Sequence, residues 1–213
     1  SYICTVDTRI DLMKYKILNK ASEMFLNLGF KSVTMDDIAS ALGVSKKTIY
    51  SHFANKNKLV EESTSLIFEK VCQGINFICG KEENSIKELF EIKKFVFTNF
   101  SNENISPQHQ LQKFFPEIHQ KMKNKHFGMM KACIEKNLKR GIKDGLFLPN
   151  LNTDFVTRIY FTGINGIKDE HIFPEKEFRK KELMTDYLQY HIKAISTTKG
   201  IEKLEQIINN KQN

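Results

Sequence analysis

The amino-acid sequence predicts an all-α protein: an N-terminal three-helix helix-turn-helix unit joined by one long helix to a C-terminal helical bundle. Three observations carry that expectation. Only 10 Gly and 4 Pro occur in 213 residues, so long stretches are free to be helical. A hydrophobic content of 40% with 17 Phe suffices for a packed core. Finally, the run TMDDIASALGVSKKTIYSHF, from Thr34 to Phe53, places two short helix signals around a Gly-Val-Ser turn.

Taken in order, residues 1–12 precede Met13 and show no strong period, so they are set apart as an N-terminal extension. From Lys14 to Leu28, Ile17, Leu18, Ala21, Phe25 and Leu28 form the stripe of a core-facing helix, ended by Gly29. The next two helices, Thr34 to Leu42 and Ser45 to Phe53, start alike. Thr34 and Ser45 are cap residues able to accept a first-turn amide, and Val33 with Ile38, then Val44 with Ile49, clamp each entry as a hydrophobic staple. Asp36 and Asp37 favour the positive end of the first of these helices, and Gly43 stops it with a left-handed residue. Ile38, Ala39, Leu42, Val44, Ile49 and Phe53 face inward, leaving Lys46, Lys47, Thr48, Ser51 and His52 outside.

Asn55 caps a long fourth helix to about Gly80, so 13–57 is expected to be the helix-turn-helix domain and 58–213 the larger one. Ser85 to Phe100 follows, with Phe95 and Phe97 about 200° apart around the axis, which makes it an inner helix. Pro107 opens a short segment ending at Phe114 and Phe115, and Pro116 suits the first turn of a helix to about Lys143. After a loop from Asp144 to Asn150, Asn152 caps a helix carrying Phe155, Ile159, Gly163 and Gly166. A last long helix runs through Phe178, Met184, Leu188, His191 and Ile195, and Gly200 introduces an amphipathic tail.

In a helix-turn-helix the second helix enters the DNA major groove while the first crosses the backbone. That geometry puts Lys46 and Lys47 nearest the groove, as donors to guanine edges or to phosphates. Thr48, Tyr50 and His52 add hydrogen bonds and apolar contact, the Thr34 and Ser45 hydroxyls lie where phosphate oxygens approach, and Lys56 adds a charge at the fourth helix start. The net charge of +8 suits a polyanionic partner.

Across residues 14–60 the sequence resembles the tetracycline-repressor (TetR) family of bacterial transcriptional regulators, in KILNKASEMFLNLGF, TMDDIASALGVSKKTIYSHF and NKNKLV. Gly29, Phe30, Thr34, Ile38, Ala39, Gly43, Val44, Ser45, Thr48, Tyr50, Phe53 and Lys56 match the family pattern. Position 47 departs from it, since a small residue is usual where this chain has Lys47. The resemblance implies DNA contacts, chiefly to the backbone, by Thr34, Ser45, Thr48, Tyr50, His52 and Lys56. It also implies a C-terminal domain that dimerises through its last two main helices and encloses a small-molecule pocket. Residues expected at the interface are Phe155, Ile159, Gly163, Gly166, Met184, Leu188 and His191, the glycines admitting either a partner helix or one of the same subunit. Phe95, Phe100, Phe114, Phe115, Phe127, Met130, Tyr160 and Phe161 are the expected pocket lining, although helical spacing also explains them as core.

The expected function is a ligand-responsive repressor that binds a palindromic double-stranded DNA operator as a homodimer and is released by a small, mostly apolar or aromatic effector. Control by a protein or peptide partner is the alternative. An enzyme is not expected: there is no Gly-rich phosphate loop, nucleophile elbow, HExxH or acidic pair of catalytic spacing. No cofactor is expected, and His109, His119 and His126 lack metal-ligand spacing. Cys4, Cys72, Cys79 and Cys133 form no CxxC and read as buried thiols of a reducing compartment in preference to a redox sensor. Cys72 and Cys79 lie two helical turns apart, about 10.5 Å, beyond the roughly 7 Å a disulfide spans. No run approaches the roughly 18 apolar residues of a membrane span and no basic-then-apolar leader is evident, so a cytoplasmic location is expected.

Overall fold

Ten helices follow one another in the computed structural model, which describes residues 8–81, 83–100, 107–174 and 176–209, with side chains from residue 12 onward except at 100, 107 and 108. They are α1 (Thr8–Leu28), α2 (Met35–Leu42), α3 (Lys46–His52), α4 (Lys56–Gly80), α5 (Ser85–Phe100), α6 (Pro107–Phe114), α7 (Pro116–Lys143), α8 (Thr153–Gly166), α9 (Lys180–Ile195) and α10 (Thr198–Asn209). No strand occurs among the described residues; Phe147 and Ser196 form an isolated antiparallel bridge. The chain divides into two compact units, the first from the described parts of Ser1–Val71 and Phe100–Asn124, the second from those of Cys72–Asn99 and Lys125–Asn213.

The first unit closes on Ile17, Ala21 and Phe25 of α1, Ile38 and Ala39 of α2, Ile49 of α3, Phe53, and Leu59 and Val60 of α4. Each helix brings one apolar face, and no one of them could hide it alone. Two features differ from expectation. α1 begins at Thr8, inside the stretch set apart as an extension. Leu28, assigned to the core stripe, is 55% exposed. Gly29, at φ 90°, turns the chain so that Phe30 stacks on Phe25 at 5.0 Å and fills the place Leu28 was expected to take.

The second unit packs Ile86, Leu89 and Phe90 of α5 with Ile134 and Leu138 of α7, Val156 and Tyr160 of α8, Leu188, Ile192 and Ile195 of α9, and Leu204 of α10. Phe95 and Phe97 are both half-buried, as an inner α5 requires. One buried carboxylate sits in this core. Glu88 receives the Arg140 guanidinium and, at 2.8 Å, the Asn137 amide, which also donates to the Ser85 carbonyl at 2.9 Å. Phe178, expected within the last long helix, precedes α9 and meets Phe173 edge-on at 5.3 Å. Gly200, expected to introduce the tail, lies inside the first turn of α10.

Candidate nucleic-acid interface

Local hydrogen bonds build α2 and α3. Thr34, extended at φ −102°, caps α2 by accepting from the Asp37 amide at 3.1 Å, and the Asp37 carboxylate accepts from the Thr34 amide and hydroxyl, both at 2.8 Å. This reciprocal capping box satisfies two otherwise orphan donors. The Thr34 bonds hold the Asp37 carboxyl below its ordinary range. Asp37 thus does more than complement the helix dipole, and its spacing from Thr34 was a visible signal of that. Gly43, at φ 65°, lets its own amide and that of Val44 turn back onto the Ala39 carbonyl. Ser45 then caps α3, accepting from the Thr48 amide at 3.1 Å and pairing with the Thr48 hydroxyl at 2.9 Å.

The outer face of α3 follows from those caps. Ile49 is its one buried residue. Lys46, Lys47, Tyr50 and Ser51 are exposed, Thr48 and His52 half-buried, and no carboxylate occurs in the helix. The nearest acidic partner comes from α2: Asp36 holds the Lys46 ammonium at 2.7 Å and raises its pKa. Lys47 enters no ion pair among the described residues. The result is a cationic, hydroxyl-bearing face suited to phosphate oxygens and base edges. Lys56 sits differently. Its ammonium donates to the Lys31 carbonyl at 2.9 Å and lies 5.9 Å from the Phe115 ring, and partial burial lowers its pKa. In this conformation its charge is engaged by the fold.

The expected pocket residues do not share one unit. Phe115 packs edge-on to Phe30 at 6.4 Å in the first unit, where Phe114 lies beneath the Lys31 ammonium at 4.8 Å. Phe127 and Phe161 meet at 5.0 Å in the second, Tyr160 is buried there between Tyr187 and His191, Met130 borders the core, and Phe95 lies against Gly74. The Phe100 side chain lies outside the described residues.

Of the expected interface residues, Phe155 and Ile159 stand 59% and 45% exposed on α8. Leu188 and His191 do not reach the surface. They are 1% and 6% exposed because α9 turns that side into its own core, and burial drops the His191 pKa to about 4. Met184 is half-buried; Tyr190, which no expectation named, is 73% exposed. Gly163 admits the Tyr187 ring of the same chain, since a Cβ there would come within 2.1 Å of it, while nothing lies within 4 Å of one at Gly166.

Metal-ligand types gather at one place among the described residues. The Cys79 and Cys133 sulfurs and the Glu88 carboxylate lie within 4.8 Å of one another. The two thiols meet at 3.1 Å across 54 residues of sequence, a pairing no local pattern announces, and both are half-buried where buried thiols were expected. Cys4 and residues 1–7 lie outside the described structure. No described helix is long and apolar enough to cross a membrane.

The family model for bacterial regulatory proteins of the tetR family matches residues 17–63. IcaR, the negative transcriptional regulator of the biofilm operon icaADBC in Staphylococcus aureus, is 31% identical over 86 residues, 40% of this chain and 46% of that protein. The matched region thus spans about half the length of that relative. YhgD of Bacillus subtilis, an uncharacterized HTH-type transcriptional regulator, is 31% identical over 173 residues, 77% of this chain and 88% of that protein. A transcriptional regulator from Cytophaga hutchinsonii has the same fold, with a TM-score of 0.70 at 18% identity over 90% of this chain and 100% of that one.

Proposed function

This chain belongs to the TetR family of bacterial regulatory proteins, and from that premise we propose that it is a transcriptional repressor, binding a palindromic operator as a homodimer and released by a small effector. The observation that carries the DNA reading is α3: doubly cationic at its start, free of carboxylates, and with Ile49 as its one buried residue. Lys46, Lys47, Thr48, Tyr50 and His52 form the groove-facing set, with Thr34 and Ser45 beside the phosphates and Lys56 reaching them if it leaves Lys31. The helix-turn-helix domain is taken as 13–57 and the effector and dimerisation domain as 58–213.

Dimerisation is supported by the exposed Phe155 and Ile159 on α8 and Tyr190 on α9, apolar surface that a second copy would cover. A two-fold dimer presents two recognition helices and so favours a palindrome. The rings at Phe127, Phe161 and Tyr160 favour an apolar or aromatic effector, whose binding would shift the population away from the state that fits both half-sites. Anisotropy titration against duplex DNA from the chain's own upstream region tests the reading. Tight, steeply salt-dependent binding is expected, and failure to bind any such duplex rejects it. A monomer in light scattering at micromolar concentration rejects the dimer.

A further inference from the structure

We propose that Cys79 and Cys133 form an oxidant-responsive dithiol site, closing to an intramolecular disulfide when they meet a hydroperoxide. The site belongs to the second unit and is independent of the operator reading. α4 and α7 hold the two sulfurs 3.1 Å apart, and both residues are half-buried, neither sealed in the core nor freely exposed.

The separation discriminates between the chemistries open to two thiols. Sulfurs sharing a tetrahedral zinc, at about 2.3 Å each, stand about 3.8 Å apart, so a metal would have to push this pair open. The third potential ligand is also engaged, since Glu88 holds the Arg140 guanidinium and the Asn137 amide. A disulfide instead needs the sulfurs to close by about 1 Å, to roughly 2.05 Å. The pair is asymmetric as well. The hydrogen bond with Cys133 lowers the Cys79 pKa against burial and the Glu88 carboxylate, while that bond and burial push the Cys133 thiol up. Cys79 is also the less buried of the two, so it is the sulfur a peroxide reaches first and the attacking one, with Cys133 resolving.

The reaction balances with one hydroperoxide. The Cys79 thiolate attacks an oxygen, the O–O bond breaks, and the leaving oxygen departs as alcohol or water with the thiol's proton, leaving a sulfenic acid on Cys79. Cys133 loses its proton and attacks that sulfur; the S–S bond forms, the S–O bond breaks, and water leaves. Two electrons pass from the sulfurs to the peroxide oxygens. A dithiol reductant reverses the step by exchange.

The test uses the full chain, reduced and then treated with one equivalent of hydrogen peroxide, followed by alkylation and peptide mass mapping. A Cys79–Cys133 linked peptide is expected as the main product, with both thiols recovered after dithiothreitol. The same link is expected in a C4S/C72S variant, which removes the other thiols. In Cys133→Ser the link should fall to zero and a sulfenic acid on Cys79 should become trappable by dimedone. The proposal is overturned if the wild-type chain gives over-oxidised Cys79 without the link, chains joined to one another, or thiols still open to alkylation. Zinc uptake that protects both thiols from peroxide would overturn it in favour of a metal site.

Discussion

Replacing Lys47 by Ala tests the proposed interface at an exposed lysine that enters no ion pair among the described residues. The α3 surface holds two lysines in unequal states: Lys46 lies 2.7 Å from Asp36, whereas Lys47 has no ion pair among the described residues. A lysine that releases one counterion from DNA steepens log K against log salt by about 0.9, and a homodimer presents it twice, for a total of about 1.8. Between about 50 and 200 mM salt, a fourfold change, wild-type affinity should therefore fall about twelvefold further than that of Lys47→Ala. Lys46→Ala should change the slope less, because Asp36 already balances that charge, and Asp36→Asn should steepen it by freeing the ammonium. Alanine favours an exposed helix position, so the fold is retained and circular dichroism should be unchanged. Anisotropy titrations on one operator duplex at several salt concentrations give the slopes. An unchanged slope in Lys47→Ala refutes the phosphate assignment, and an unchanged sequence preference as well removes Lys47 from the interface.

Burial holds the His191 pKa at about 4, below an unfolded value of 6.5, so the unfolded chain binds the extra proton between those pH values. Stability is fully present above pH 6.5 and is lost as pH falls toward 4, by about 1.4 kcal/mol per pH unit. Urea midpoints should show that slope in the wild type and a shallower one in His191→Leu; parallel profiles would refute it. Thr34→Ala removes the α2 cap and should cost about 1 kcal/mol, read as a lower denaturation midpoint. Gly163→Ala drives a methyl into the Tyr187 ring, whose hydroxyl donates to the Ile159 and Tyr160 carbonyls at 3.0 and 3.1 Å, and should cost about 1–3 kcal/mol. Gly166→Ala meets open space in the subunit and should stabilise a monomer by up to about 1 kcal/mol. Loss of the dimer in that variant would place Gly166 against the partner.

Features closed within a few residues were legible in the sequence. Thr34, Ser45, Asn55 and Asn152 each accept an amide three residues on, and Gly43 takes the left-handed turn its place after Leu42 requires. Helical periodicity identified an apolar side but not what covers it. Leu188 and His191 lie on the side of α9 turned inward, while Tyr190, one residue away, faces out. Leu28 lost its place to Phe30 through one glycine turn. Contacts across long separations left no local trace at all, Cys79 with Cys133 above all. The proposed interface on DNA is nearly contiguous in sequence and so within reach of local patterns, whereas the second unit's clusters are not, because α4, α5, α7, α8 and α9 each supply a residue or two.

That Ile49 is the one buried residue of α3 bears on how such proteins diverge. A helix with one fully buried side chain, and capped by a serine just ahead of it, leaves its exposed positions free to vary with little toll on folding. If α3 reads the operator as proposed, substitutions at 46, 47, 50 and 51 retune which bases are recognised one step at a time, each intermediate remaining a folded protein. Under the proposed operator reading, Lys47 stands on such a surface, where a change alters the address a regulator answers to while the rest of the molecule scarcely registers it.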